Sequence, residues 1–459
     1  MSTIDQSIFR AYDIRGIVGE ALTEEVVEQI GLAVGSESQA RGVDTIVVGR
    51  DGRLSGPLLQ QALMSGLKNS GMEVIDVGMV PTPVIYFAAV HLNAGSCVAV
   101  TGSHNPPNYN GFKIVAAGET LSADAIQDLY RRVVEEDWVS GDGSIRSVEI
   151  IPDYIERITG DIKPERPLNL IVDCGNGVTG NSAPDLLRKL GCEVTELYCD
   201  VDGNFPNHHP DPSKPENVAE LRQRVLADGA DLGLAFDGDG DRLGVIDSAG
   251  NLIFPDRQMM LYAQDILSRK PGGEIIYDVK CTRNLPEIIK QAGGQPTMWK
   301  TGHSFIKQKL KATEGALLAG EMSGHIFFKE RWYGFDDALY TAARLLEIVA
   351  KENRPTAEIF GELPDTINTP ELNVQFAEGA HYAFMEQLKK QAQFGGAEVT
   401  LIDGIRADYP HGWGLVRPSN TTPVLVFRFE AESQEALEQV QDAFRKEVLN
   451  VQSDLSLPF

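Results

Sequence analysis

Cysteine is scarce in this chain, with five in 459 residues (Cys97, Cys174, Cys192, Cys199 and Cys281) and no C-x-x-C pair. An odd, scattered set excludes a disulfide framework and predicts buried, reduced thiols in a cytoplasmic protein. No apolar run approaches the roughly 20 residues of a membrane-spanning helix. The opening segment lacks a basic stretch leading into an apolar core, so a secretory signal is not expected. Positive charge is also short: 41 Lys and Arg face 66 Asp and Glu, a net charge of −25. That balance argues against nucleic acid or an anionic membrane as partner. It also repels phosphorylated ligands at long range, so a phosphate-handling site here must gather cations locally. The G-x-x-x-x-G-K-[ST] loop of P-loop NTPases is absent.

A chain of this length exceeds one compact core and predicts three or four domains. A unit of strand, polar loop, amphipathic helix, glycine and second strand occurs three times. Its copies begin at Thr45-Ile-Val-Val-Gly-Arg-Asp-Gly-Arg53, Leu170-Ile-Val-Asp-Cys-Gly-Asn-Gly177 and Glu274-Ile-Ile-Tyr-Asp-Val-Lys-Cys-Thr282. Short β-rich runs alternating with helical periodicity indicate βαβ units. The expected fold is therefore α/β: three related mixed α/β domains, each with a functional loop after its first strand, where open sheets bind ligands. A smaller C-terminal α+β domain follows, with a strand near Val424–Glu430 and a helix from about Ser433 to Val448. Turn-rich stretches suggest boundaries giving domains 1–148, 149–251, 252–363 and 364–459. Ser140-Gly-Asp-Gly-Ser144 closes a helix whose apolar face is Ile126, Leu129, Val133 and Val134, and Asp247–Asn251 reads as a hairpin turn.

Four loops carry chemistry. Ser103 lies in Gly102-Ser-His-Asn-Pro-Pro107 after a buried-looking strand, where two prolines stiffen the loop. Taken alone it reads as a turn serine, and the G-x-S-x-G elbow of hydrolases does not fit. Asp237-Gly-Asp-Gly-Asp-Arg242 places three carboxylates on alternate positions, with glycines that let the backbone wrap a hard cation. An EF-hand would need glycine at Arg242 and glutamate at Ser248, so an Mg²⁺ site is favoured over a solvated acidic turn. Arg242 adds a cation suited to a phosphoryl group. Gly320-Glu-Met-Ser-Gly-His325 offers Glu321 and Ser323, which on an extended segment point the same way and could grip two sugar hydroxyls; a hairpin turn is the plain alternative. Lys280, Lys300 and His303 add cationic and titratable groups upstream. Arg417-Pro-Ser-Asn-Thr-Thr422 offers a guanidinium, hydroxyls, an amide and backbone N–H groups that can cradle a phosphate. A rival signal, Gly175-Asn-Gly-Val-Thr-Gly180 with Glu196 downstream, matches a dinucleotide fingerprint and would make the chain an oxidoreductase.

In this order the loops resemble the α-D-phosphohexomutase superfamily, especially its bacterial phosphomannomutase/phosphoglucomutase branch. The likeness runs from Phe9-Arg-Ala-Tyr-Asp-Ile-Arg-Gly16 through the four loops just described. It implies four domains around a central cleft, with Ser103 as a phosphoserine whose phosphate completes the coordination of one Mg²⁺ begun by Asp237, Asp239 and Asp241. It implies that Glu321 and Ser323 bind the sugar 3- and 4-hydroxyls, and that Arg417, Ser419, Asn420 and Thr421 hold the non-reacting phosphate. It further implies that Tyr12, Arg15, Lys113, Arg242, Lys280, His303 and His325 line the cleft, with Lys113 and His303 as expected proton carriers.

The implied reaction moves phosphate between C1 and C6 of glucose or mannose phosphates through a hexose 1,6-bisphosphate, which also serves as activator. The enzyme is expected to be a monomer whose fourth domain closes over the cleft. Ser103 is expected to be a phosphate carrier with no activating histidine partner. Besides the oxidoreductase, a metal-dependent sugar phosphatase is the alternative.

Overall fold

The computed structural model describes residues 4–377, 379–420 and 422–459. The three repeats fold into one topology used three times. In each, the first strand (Thr45–Arg50, Asn169–Asp173 or Glu274–Asp278) lies between two parallel neighbours. One is the repeat's second strand: Glu73–Met79, Glu193–Leu197 or Gln295–Trp299. The other is a third strand: Ser96–Val100, Leu232–Phe236 or Ala316–Gly320. A fourth strand, Tyr109–Ala116, Leu243–Asp247 or Ile326–Phe328, pairs antiparallel with the third.

Parallel neighbours need long crossovers, which the helices Gly56–Asn69, Ala183–Lys189 and Asn284–Gln291 supply. The antiparallel third and fourth strands need only a short loop. Those short loops carry Ser103, the three aspartates and Glu321. The chemistry-bearing loops thus follow the third strand of each domain, not the first as expected. Periodicity could not separate them, because the carboxyl ends of all three parallel strands open at one edge of the sheet.

One continuous apolar core runs through all three α/β domains, including Val47, Leu170, Leu234, Ile275 and Leu318. The C-terminal domain has a core of its own. Its antiparallel sheet is built around Gly412–Pro418 and Val424–Ala431, and the helices Ala380–Gln391 and Gln434–Val451 bury Phe384, Leu388 and Phe444 against Phe427 and Phe429. Ser433 caps the last helix by accepting from the Ala436 N–H at 3.2 Å. Two buried arginines join this domain to the third. Arg406 donates to the carbonyls of Val279 (2.7 Å) and Cys281 (2.9 Å), and Arg428 to that of Lys280 (2.6 Å).

All five cysteines are free and buried, as expected. Val134 is 54% exposed; it lies in the last turn of the helix Asp124–Glu135, where only Ile126, Leu129 and Val133 reach the core. Among the described residues, no helix is long and apolar enough to cross a membrane.

Candidate active site

The strand Ser96–Val100 is buried at every position, and its continuation delivers Ser103 at φ 50°, a left-handed backbone uncommon outside glycine. Thr101 Oγ1 stabilises that turn, accepting from the Ser103 N–H (2.8 Å) while donating to Asp51 Oδ2 (2.7 Å). Ser103 is buried, with Oγ 3.3 Å from Asp237 Oδ2 of the second domain and 3.1 Å from His104 Nδ1. The serine therefore has the ring of the next residue beside it. Burial, reinforced by Arg242, Arg15 and Lys113, pushes His104 well below the usual imidazole range, so the ring is neutral.

Asp237 has two jobs. Its Oδ1 accepts from the backbone N–H groups of Gly240, Asp241 and Arg242 at 3.0–3.2 Å, which folds the loop, and its Oδ2 faces Ser103. Asp239 Oδ2 accepts from Thr82 Oγ1 (2.6 Å) and Lys113 Nζ (2.7 Å), and Asp241 Oδ2 accepts from Lys113 Nζ (2.5 Å). The remaining oxygens, Asp239 Oδ1 and Asp241 Oδ1, are buried without a hydrogen bond among the described residues. One oxygen from each carboxylate can thus converge, with the three ligand atoms within 4.8 Å of one another. That donor set fits a hard divalent cation.

The electrostatics agree. Burial and the neighbouring Asp241 and Asp239 charges push Asp237 well above the usual carboxylate range, a cost that a bound cation reverses. Burial also acts to raise Asp239, but Lys113 and Thr82 outweigh it and hold that carboxyl low. Burial acts against the charge on Lys113, yet Asp239 and Asp241 raise it, so Lys113 is a fixed cation here. Thr82, from the first domain, carried no motif and was missed in the sequence.

Arg242 Nε donates to His325 Nε2 at 3.0 Å, which places the ring proton on Nδ1. That nitrogen lies 3.0 Å from Asp336 Oδ2 and 3.6 Å from Asp241 Oδ1. His303 stacks on His325 with ring centroids 5.4 Å apart, its Nδ1 3.7 Å from the same Asp336 oxygen. Lys307 Nζ binds Asp336 Oδ1 at 2.9 Å. Burial opposes the Asp336 charge, but the Lys307 ammonium and the His325 ring N–H hold it well below the usual range. Burial and Lys307 depress His303 until it is neutral. Asp336 is a site residue that sequence reasoning missed. Its only signal was a pair of carboxylates, Asp336 and Asp337, ending the aromatic run Trp332-Tyr-Gly-Phe335. Asp337 is structural: it caps the helix Ala338–Val349 and accepts from Tyr154 and Trp332.

Glu321 and Ser323 are not on an extended segment. Glu321 N–H donates to His325 O (2.9 Å) and Gly324 N–H to Glu321 O (3.0 Å), a tight turn between Ala316–Gly320 and Ile326–Phe328 in which alternate-residue geometry does not hold. Glu321 is buried and accepts from Gly302 N–H at 2.6 Å; Ser323 is partly exposed. Arg15 donates to Asn105 Oδ1 at 2.5 Å and pairs with Asp13.

Tyr12 joins three domains, donating to Thr301 O at 3.1 Å and accepting from Asn420 Nδ2. Lys280 pairs with Glu371 of the C-terminal domain at 2.7 Å. Arg417 Nε donates to Asp403 at 3.0 Å, while its buried Nη2 has no acceptor among the described residues. Ser419 Oγ lies 3.2 Å from Thr422 Oγ1. Thr421 lies outside the described residues.

The glycine fingerprint has another purpose. A Cβ on Gly180 would lie 1.9 Å from Cys199 O, and one on Gly177 would lie 3.1 Å from Gly238 of the acidic loop. A short 3₁₀ turn, Val178–Asn181, follows in place of a helix N-terminus, and Glu196 is engaged by Arg188 at 2.7 Å. These glycines allow close backbone packing under the aspartates, and the oxidoreductase reading is not supported.

Fold and site define a four-domain α/β protein in which the Ser103 loop, the acidic loop of Asp237, Asp239 and Asp241, the Glu321 turn and the Arg417 loop come from four different domains. Family models agree at each domain. Those for phosphoglucomutase/phosphomannomutase alpha/beta/alpha domains I, II and III match residues 6–140, 152–250 and 254–367, and that for the C-terminal domain matches 371–447. The chain is 57% identical over 457 residues to a phosphomannomutase/phosphoglucomutase of Pseudomonas aeruginosa, covering 100% of this chain and 98% of that one. It is 53% identical over 449 residues to a phosphoglucomutase of Neisseria gonorrhoeae, covering 97% of each. A crystal structure of a phosphoglucomutase/phosphomannomutase family protein from Burkholderia thailandensis superposes with a TM-score of 0.95, at 54% identity and full coverage of both chains. The chain belongs to the phosphoglucomutase/phosphomannomutase family of the α-D-phosphohexomutase superfamily.

Proposed function

We propose that this protein is a phosphohexomutase that reversibly moves a phosphoryl group between C1 and C6 of glucose and mannose phosphates. The observation that carries the reading is the placement of Ser103 Oγ 3.3 Å from Asp237 Oδ2, beside Asp239 and Asp241, each of which keeps one carboxylate oxygen without a hydrogen bond among the described residues. Phosphorylated Ser103 gives its phosphoryl group to the free hydroxyl of a hexose 1- or 6-phosphate: the P–Oγ bond breaks, the P–O bond to the sugar forms, the sugar hydroxyl loses its proton, and Ser103 Oγ takes up a proton to become the free serine. The resulting 1,6-bisphosphate turns end for end, and its other phosphoryl group returns to Ser103. A loose transition state demands positioning and charge neutralisation above all. Mg²⁺, held by Asp237, Asp239, Asp241 and the Ser103 phosphate, would supply part of that neutralisation; Arg15, Lys113 and Arg242 supply the rest.

His303, kept neutral by burial and Lys307, is suited to take the sugar proton, whereas Lys113 serves as a fixed charge. On the return leg, neutral His104 offers Nδ1 at 3.1 Å to the Ser103 proton. Glu321 and Ser323 serve the 3- and 4-hydroxyls, which exchange places when the sugar turns over. C2 is then left unread, and both glucose and mannose are accepted. Lys280, Arg417, Ser419, Asn420 and Thr421 hold the idle phosphate, with Tyr12 at the domain junction. The protein acts as a cytoplasmic monomer, activated by a hexose 1,6-bisphosphate.

The test is to supply glucose 1-phosphate, Mg²⁺ and a trace of glucose 1,6-bisphosphate and follow glucose 6-phosphate. Release of inorganic phosphate without glucose 6-phosphate would identify a phosphatase instead.

A further inference from the structure

The Asp51-Gly-Arg53 run that follows the first repeat's leading strand has no part in the chemistry above, yet it ends beneath Ser103. Arg53 is 1% exposed. Its guanidinium binds the carbonyls of a single loop: Nη2 donates to Ser103 O (2.8 Å) and Asn105 O (2.6 Å), and Nη1 to Pro106 O (2.6 Å) and Tyr109 O (3.0 Å). Nε lies 3.2 Å from Asp51 Oδ2. Asp51 in turn accepts from Thr101 Oγ1, from Gly102 N–H at 3.2 Å and from Arg53 N–H at 3.0 Å, so it fixes both the arginine and the start of the loop. The approach is close enough to require glycine opposite, since a Cβ on Gly102 would lie 2.4 Å from Arg53 Cζ. Phe205, from the second domain, stacks its ring 5.3 Å from the guanidinium carbon.

A loop without strand pairing leaves carbonyls that must find donors elsewhere. Only the planar guanidinium fork holds several at fixed angles; an ammonium, being a point charge, would not fix the plane of the loop. Arg53 reaches Ser103 through its carbonyl, so it bears on the φ 50° backbone that aims Oγ at Asp237.

We propose that Arg53, oriented by Asp51, is a positioning residue for phosphoryl transfer that fixes Ser103 in line with the reacting phosphorus. The proposal rests on Ser103 being the phosphate carrier. Its test compares wild-type protein with Arg53→Lys, which keeps the charge and loses the fork. Three quantities are followed: phosphate on Ser103 after incubation with glucose 1,6-bisphosphate (mass and site mapping), kcat against KM for glucose 1-phosphate, and the thermal midpoint. For a reacting atom displaced by about 1 Å, kcat and the Ser103 phosphorylation rate should fall about 100-fold, with KM changed less than about threefold.

An arginine that only supports the fold would lower the thermal midpoint and leave both rates at wild-type values per folded molecule, which overturns the proposal. Should Arg53→Lys not fold, Gly102→Ala presses on the guanidinium without altering any charge, and the same rate losses are expected of it. A wild-type protein that takes phosphate at another residue defeats the Ser103 reading itself, and the Arg53 proposal with it.

Discussion

Ser103 Oγ and Asp237 Oδ2 lie 3.3 Å apart across a domain boundary, although 134 positions separate them in the chain. Each residue alone is unremarkable: one turn serine, one buried acid. Their proximity means that, on the function proposed above, a cation held by the acidic loop would also face the group on the serine.

The first prediction concerns that ion. Stripping divalent cations should abolish turnover and lower the thermal midpoint, because three buried carboxylates are then left facing one another. Restoring Mg²⁺ to about 100 times its Kd should regain about 2.7 kcal/mol of stability. Asp241→Asn should lose this Mg²⁺-dependent gain. A full gain in that variant would place the ion elsewhere.

Asp336 gives the second. It is buried between two histidines and Lys307. Asp336→Asn should reduce kcat by about 100-fold, in the range lost when a proton-transfer residue is misdirected, and cost about 3 kcal/mol because Lys307 is left charged and unpaired. Adding Lys307→Met should restore stability but not turnover. Recovery of both would make Asp336 a purely structural ion-pair partner.

What was legible in the sequence is what is contiguous in it. The three repeats announce themselves because each parallel pair needs a strand, a crossover helix and a second strand in succession. Ser103 and the three aspartates stand in short, distinctive runs. Thr82, Arg53 and Asp336 do not: Thr82 meets Asp239 from 157 positions away, and Arg53 meets Ser103 from 50. Their roles arise from tertiary approach, and nothing in their local spacing separates them from ordinary polar residues. The misplacing of Glu321 and Ser323 on an extended segment has the same origin, since a strand's period was carried one turn too far.

The third prediction turns on pH. His208 Nε2 lies 3.0 Å from Asp173 Oδ2, and its Nδ1 lies 3.0 Å from His209 O, pinning the loop beside the glycine run. Burial acts to lower His208, but Asp173 and the His209 carbonyl outweigh it and raise the imidazole above its ordinary value. A histidine raised on folding gives stability that is fully present below its unfolded value of about 6.5 and is lost as pH rises through the folded value. His208→Gln should therefore cost about 1.5 kcal/mol in acid, the lower end of the worth of a charged hydrogen bond for this partly exposed pair, and progressively less as pH climbs. Denaturant titrations across that range measure the gap, and a pH-independent gap would remove the charge from the explanation.

The fourth concerns how the C-terminal domain reaches Lys280. That lysine belongs to the third domain, but its surroundings do not: Arg406 binds the carbonyls on either side of it, Arg428 binds its own, and Glu371 pairs with its ammonium. Trp413 packs on the Arg406 guanidinium at 3.9 Å and keeps it flat against the loop. Lys280 is thus held in place by the same domain that carries Arg417 and Ser419. Arg406→Met preserves most of the packing and deletes the two charged hydrogen bonds to the carbonyls, about 1.5–3 kcal/mol each, along with the pairing to Asp408, and only part of that can reach the substrate. If Lys280 binds the idle phosphate, KM for glucose 1-phosphate should rise about tenfold, equivalent to about 1.4 kcal/mol, while phosphorylation of Ser103 by the bisphosphate keeps its maximal rate. A fall in that maximal rate with KM unchanged would mean that the junction serves the reacting end of the cleft, and Lys280 would have to be reassigned with it.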